Sequence, residues 1–230
     1  MPLRRYLFIV TLIMCSTGTL AEDKMRLAAP FFPPYTYFDI DGKLDGLWIK
    51  QLKPVLQIAE IEFKAINTPM ARFYSSIATG KVQLSALPKG VPGMDNVIYS
   101  DLPFARFDLR VFWLDDRPDI SGISQLANQK VILTRGYNYG GFLEEALTTE
   151  QQQHFVVANT KPEAIELLLK GEADYVLGYW ALMDYLQKNM PDVQLNNKKI
   201  SEIPIYFVIH NSVTDARGIM ARFNAALANK

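Results

Sequence analysis

The stretch Ser75-Ser76-Ile77-Ala78-Thr79-Gly80-Lys81-Val82 has a counterpart later in the chain, Leu167-Leu168-Leu169-Lys170-Gly171-Glu172-Ala173. Each reads as the last turns of a helix, a glycine where helices stop in the left-handed conformation, and the start of a strand. Outward from the first copy, Met70 to Thr79 is the helix and Lys81 to Leu87 the strand; before them come a strand over Glu62 to Asn67, an amphipathic helix over Leu47 to Glu60 and a first strand over Lys24 to Ala29. Outward from the second copy, Thr160-Lys161-Pro162-Glu163 opens a helix with an N-cap Thr, an early Pro and a Glu three residues on, which is a capping box. A strand over Asp174 to Gly178 follows; a short helix over Ile123 to Ala127 and strands over Lys130 to Thr134 and Phe155 to Ala158 precede. Strands alternating with helices give an α/β fold with mainly parallel sheets. The echo suggests two lobes of similar build, although it is also the common grammar of any αβ unit.

Three irregular segments interrupt this grammar. Phe31-Phe32-Pro33-Pro34-Tyr35 cannot be regular structure, because two prolines remove donors and fix φ. It forms a rigid aromatic loop at the end of the first strand, and Tyr37 to Lys43 then reads as a short strand ending in an Asp-Gly turn. Asp115-Asp116-Arg117-Pro118 breaks a long aromatic strand over Phe104 to Leu114. Gly136-Tyr137-Asn138-Tyr139-Gly140-Gly141 is a glycine-bracketed turn into a helix. A last long strand over Ile203 to Ile209 and a helix over Thr214 to Ala228 return the chain to the first lobe, so two crossings form a hinge. Hinged α/β lobes bind ligands between them, at the C-terminal ends of strands.

The chain has 230 residues, 49% hydrophobic and 21% charged, which is enough apolar material for a sizeable core. Lys+Arg and Asp+Glu both number 24, a balance that argues against a nucleic-acid partner. Arg4 and Arg5 precede an apolar run from Tyr6 to Cys15, and Thr19-Leu20-Ala21 supplies small residues at a cleavage site. Residues 1–21 therefore read as a secretory signal peptide, the alternative being an uncleaved anchor. Cleavage leaves 22 basic and 24 acidic residues. Cys15 is the only cysteine, and Met14 before it argues against lipidation. The mature chain would have no disulfide, and His154 and His210 lack metal-ligand spacing. No cofactor is expected.

The order of segments resembles the bacterial extracellular solute-binding proteins of family 3, the amino-acid-binding-like group with the type II periplasmic binding fold. Phe32-Pro33-Pro34-Tyr35 with Asp41-Gly42-Lys43 and Gly46 is similar to that family's opening loop. Thr79-Gly80-Lys81-Val82 and Leu168-Leu169-Lys170-Gly171-Glu172-Ala173-Asp174 are similar to its two helix-to-strand junctions, and Tyr99-Ser100-Asp101-Leu102-Pro103-Phe104 to its segment before the hinge. The resemblance implies a lobe over 22–112 plus 204–230 and a second over 113–203. It also implies ligand-binding positions. Phe32 and Tyr35 would stack on a solute, Met70 and Leu87 would line the wall, and Arg72 would fork an acidic group. Arg135 with Gly136, Tyr137 and Asn138 would seat an anion at a helix start, and Tyr179 would donate a neutral hydrogen bond. Ordinary core packing is the alternative for the aromatics, and a surface ion pair for Arg72. Where amino-acid binders carry an Arg for the α-carboxylate and an Asp for the α-ammonium, this chain has Gly93 and Tyr179.

These readings imply a monomeric periplasmic protein that captures a small polar or anionic molecule and catalyses nothing, handing it to an inner-membrane ABC permease or a sensor. A regulator acting by protein contacts and a dehydratase-like enzyme on the same fold are the alternatives. Mass spectrometry of the exported protein is expected to find Glu22 at the N-terminus; an intact Met1 would contradict the signal-peptide reading.

Overall fold

The computed structural model describes residues 24–114 and 117–230. The expected signal peptide and the Asp115-Asp116 break lie outside the described residues. In chain order, β1 (Met25–Ala29) leads through the hairpin β2 (Tyr37–Phe38) and β3 (Leu44–Asp45) to α1 (Leu47–Ile58). β4 (Phe63–Asn67), α2 (Met70–Ala78), β5 (Leu84–Leu87), β6 (Val97–Tyr99) and β7 (Ala105–Trp113) follow. A 3-10 turn over Ile123–Leu126 replaces the expected short helix, and then come β8 (Val131–Thr134), α3 (Phe142–Ala146) and β9 (Val156–Ala158). α4 (Lys161–Leu169), β10 (Tyr175–Tyr179), α5 (Trp180–Lys188), β11 (Asn196–His210) and α6 (Ala216–Ala228) complete the chain.

Among the described residues the hydrogen-bonded strand order is β4-β1-β5-β11-β7-β10-β8-β9, with β6 also on β11. The path is unbroken because β11 serves two sheets. Its residues from Asn196 to Ile205 pair antiparallel with β7. From Tyr206 on it pairs with β5, and from Val208 with β6. On one side lie the parallel strands β4, β1 and β5; on the other lie β10, β8 and β9, also parallel to one another. The chain thus crosses between the two halves where Phe104 N–H donates to Ile205 O at 3.0 Å.

β11 is much longer than Ile203 to Ile209. Asn196-Asn197-Lys198-Lys199 carries no apolar alternation, yet it pairs with β7 as the outer strand of its sheet. Outer strands favour charged side chains, which discourage further pairing. Each half buries its sheet on both faces. In the first, α1 presents Trp48, Ile49, Leu52, Val55 and Leu56, the spacing of one helical face, and Phe207 stacks on Phe223 of α6 at 4.2 Å. α2 covers the opposite face through Phe73 and Ile77. In the second, Ile165 and Leu168 of α4 and Met183 of α5 pack on Ile132 and Val176.

The two junctions end their helices alike. Gly80 and Gly171 both adopt left-handed φ, 69° and 73°. The Gly171 and Glu172 N–H groups close back on Leu168 and Leu167, the Schellman arrangement. After α2 the second bond comes one residue later, from Val82 to Ser76.

The Pro-aromatic loop caps α1. Pro34 O and Tyr35 O accept the N–H groups of Leu47 and Trp48 at 2.8 and 3.0 Å, satisfying donors that a helix start otherwise leaves open. This approach requires glycine at 46, where φ is 129° and an added Cβ would run into the Tyr35 carbonyl. Gly46→Ala is expected to cost about 3 kcal/mol or more in urea unfolding, from backbone strain plus a backbone clash. Wild-type stability would contradict the close approach.

Candidate functional site

Loops from both halves meet at the strand ends beside the crossings. From the first half come Phe32 and Tyr35, stacked with ring centres 5.2 Å apart, and Trp48 at the start of α1. From the second come Tyr137, on the turn after β8, and Tyr179 at the end of β10, stacked at 5.7 Å. Phe107 of β7 lies face to face with Tyr179 at 4.1 Å. Phe32 meets Tyr137 edge-on at 5.4 Å and Tyr179 at 6.0 Å, which closes the two halves on each other. Edge-to-face and offset stacks of this kind contribute about 0.5–1.5 kcal/mol each beyond area burial. One polar contact joins the same surfaces: Tyr74 Oη donates to Asn138 Oδ1 at 3.4 Å.

Phe32, Met70, Leu87, Gly136, Tyr137, Asn138 and Tyr179 surround a cavity of about 40 Å³. That is room for about three water molecules. Trp48, Phe73, Tyr74 and Phe107 complete much of its wall, and among the described residues no charged side chain lines it. Tyr35 stacks behind Phe32 and does not reach the space. Arg72 is exposed and turns to a separate groove with Arg26 and Lys81, because Met70, Phe73 and Tyr74 are the α2 residues that face the cavity. Arg135 is exposed as well, its Nε donating to Asn159 Oδ1 at 3.0 Å.

Burial pushes the phenols of Tyr35, Tyr74, Tyr137, Tyr139 and Tyr179 above their ordinary range, Tyr74 and Tyr139 to about 12. All five therefore stay neutral near pH 7. Trp48 Nε1 and Thr134 Oγ1 are buried without a hydrogen-bond partner. Such groups are costly, and Trp48 is one of the residues that line the cavity.

Lys161 is the residue that sequence reasoning passed over. The expected N-cap forms, Thr160 Oγ1 accepting from Glu163 N–H at 3.2 Å, but the Glu163 carboxylate reaches past the cap and accepts from Asn159 N–H at 2.8 Å. The first residue of a helix usually meets solvent. Here Lys161 is buried, and its Nζ donates to Leu177 O at 2.6 Å. The ammonium lies 5.2 Å from the ring centre of Tyr137 and 5.6 Å from that of Tyr139. Gly178 lies beside it: a Cβ there would press on Met183 at 3.0 Å and touch Nζ at 3.4 Å. Desolvation drives its pKa down to about 7. Only the run of polar residues before an apolar helix was visible in the sequence.

No protein-family model and no curated protein matches the chain. Solved structures do. One is a histidine kinase sensor domain with similarity to periplasmic binding proteins: TM-score 0.73, 19% identity, covering 90% of each chain. The ligand-binding core of GluR0 in complex with L-glutamate matches with TM-score 0.70 and 16% identity, covering 91% of this chain and 92% of that one. The arginine-bound, truncated arginine-binding protein ArgBP of T. maritima matches with TM-score 0.67 and 16% identity, covering 90% and 95%. At these identities the likeness establishes the fold: the chain has the two-lobed fold of periplasmic binding proteins.

The lowered Lys161 pKa has a defined sign in stability. Between its ordinary value of 10.5 and about 7 the unfolded chain holds a proton on this amine that the folded chain lacks. Stability from this group is therefore full above that window, falls as pH drops through it, and levels below pH 7. Urea unfolding between pH 7.5 and 9.5 is expected to show wild type gaining about 1.4 kcal/mol per pH unit relative to Lys161→Met. Parallel profiles for the two proteins would refute the buried, unpaired amine.

Proposed function

We propose that this chain is a periplasmic solute-binding protein of the family 3 kind that closes its two lobes on a small molecule, for delivery to a membrane permease or a sensor. One observation carries the reading: loops from both halves converge on one aromatic-walled cavity at the strand ends, where hinged α/β lobes hold ligands. The lobes are residues 24–104 with 206–230, and 105–205, a division that follows the change of partner along β11 and puts all of β7, which begins at Ala105 rather than after position 112, in the second lobe. The structural relatives support binding, since the ArgBP and GluR0 structures hold arginine and glutamate. The sensor domain supports a sensing role equally well.

The wall defines the class of solute. It offers rings and neutral phenols and, among the described residues, no acid to hold an ammonium. An amino-acid zwitterion would leave its cation unpaired, which is costly in a buried site. A ring-bearing or apolar molecule with a neutral or acidic polar group fits better. At about 40 Å³ the closed cavity must open to admit it. The same tight ring packing favours a second reading, a lobe-closed regulator that binds other proteins and no solute.

A thermal-shift screen against amino acids, aromatic and aliphatic acids, amines and sugars separates the two. A solute present at a hundredfold excess over its Kd stabilises by about 2.7 kcal/mol, roughly 5–10 °C for a chain of this size. Ring-bearing compounds are expected to give such shifts, and Tyr179→Ala to abolish them. A screen with no shift would favour the regulator.

A further inference from the structure

We propose that Lys161 is the acid-binding group of this cleft, receiving the carboxylate of a ring-bearing solute when Tyr137 turns aside. The inference rests on the solute-binding reading above and names the chemistry of its ligand.

The geometry that supports it is local. Lys161 reaches from the first turn of α4 past Gly178, so that its Nζ is bonded to Leu177 O of β10 and lies over the ring of Tyr137. An ammonium has three donors. One is taken by Leu177 O, and the nearest rings, Tyr137 and Tyr139, have their centres 5.2 and 5.6 Å from Nζ. Ring faces attract a cation but accept no full hydrogen bond. Tyr137 is thus the partition between an under-satisfied cation and the cavity, of which it forms one wall.

That partition is held from the opposite half. Tyr137 packs edge-on against Phe32, and its neighbour Asn138 accepts from Tyr74. When the lobes part, both contacts are lost, and Tyr137 keeps only its neighbours in its own half. The turn also has room to rearrange, with Gly136, Gly140 and Gly141 all at positive φ. A solute whose ring takes the place of the Tyr137 ring, beside Phe32 and Tyr179, would bring a carboxylate onto Nζ. The charge-assisted pair would then supply the counter-ion that the fold withholds.

The other titratable groups around Nζ leave its response legible. From the turn come the phenols of Tyr137 and Tyr139, and from β10 that of Tyr179, all raised by burial. From α5 the facing side chain is Met183. On its own helix, Glu163 is turned to Asn159. Lys161 is therefore the group expected to titrate between pH 7 and 9, and an acid that binds only the protonated amine should lose about 50-fold in affinity over that range.

The test uses benzoate, phenylacetate, 3-phenylpropanoate and indole-3-acetate, each beside its primary amide, with residues 22–230. Acids are expected to raise the melting temperature of wild type at pH 7 while the amides do not, and Lys161→Met to lose the acid response. Calorimetry on wild type is expected to show the fall in affinity toward pH 9, a readout that does not depend on the variant folding. Amides that bind as well as the acids, or an affinity independent of pH, would overturn the role of Lys161 and leave the cleft standing. If neither acids nor amides bind, the cleft reading falls and this inference with it.

Discussion

The pairing of β11 is the constraint on which the rest depends. One strand is bonded to β7 up to Ile205 and to β5 from Tyr206. A shared strand keeps the two sheets joined, so the halves can bend relative to each other and cannot slide apart. The second crossing runs beside it, tied by the Phe104–Ile205 hydrogen bond. Two adjacent crossings confine bending to one axis. On the cleft side of those crossings the rings of the two halves are in contact.

What meets there is aromatic, and that choice has physical consequences. Rigid rings bring large contact areas at small entropic cost. Phe32, Tyr35 and Trp48 are held from below, because the Pro34 and Tyr35 carbonyls are fixed to the start of α1. Phe107 and Tyr179 are anchored in strands. Tyr137 alone among these rings sits on a glycine-rich turn, with an unpaired lysine behind it. The wall thus combines rings on firm supports with one ring on a glycine-rich turn, and Lys161 Nζ lies against that ring.

The fold was legible because its signals are local. Gly80 and Gly171 mark helix ends, Thr160 a helix start, and Pro33-Pro34 a loop, each through backbone chemistry that the residue type dictates. The N-terminal half of β11 was hidden because Asn196 to Lys199 owe their pairing to a distant partner, β7, and show no apolar alternation. The site was legible only in part. Phe32, Met70, Leu87, Gly136, Tyr137, Asn138 and Tyr179 do surround one space. Arg72 does not, since helix spacing turns it from the face that carries Met70, Phe73 and Tyr74. Arg135 is likewise outside, bonded to Asn159. Lys161 escaped notice because burial of a lysine at a helix start depends on Gly178 and two tyrosine rings, none of them near it in sequence.

The central claim is that these two halves close on a solute. Ile40 and Tyr185 are exposed on opposite halves and can each be replaced by a spin-labelled cysteine on residues 22–230, which contain no other cysteine. Pulsed electron-spin distance measurements then follow opening directly. The account predicts a long-distance population in the free protein that collapses to the short one when a stabilising solute is added. A single distance, unchanged by every solute that raises the melting temperature, would contradict it.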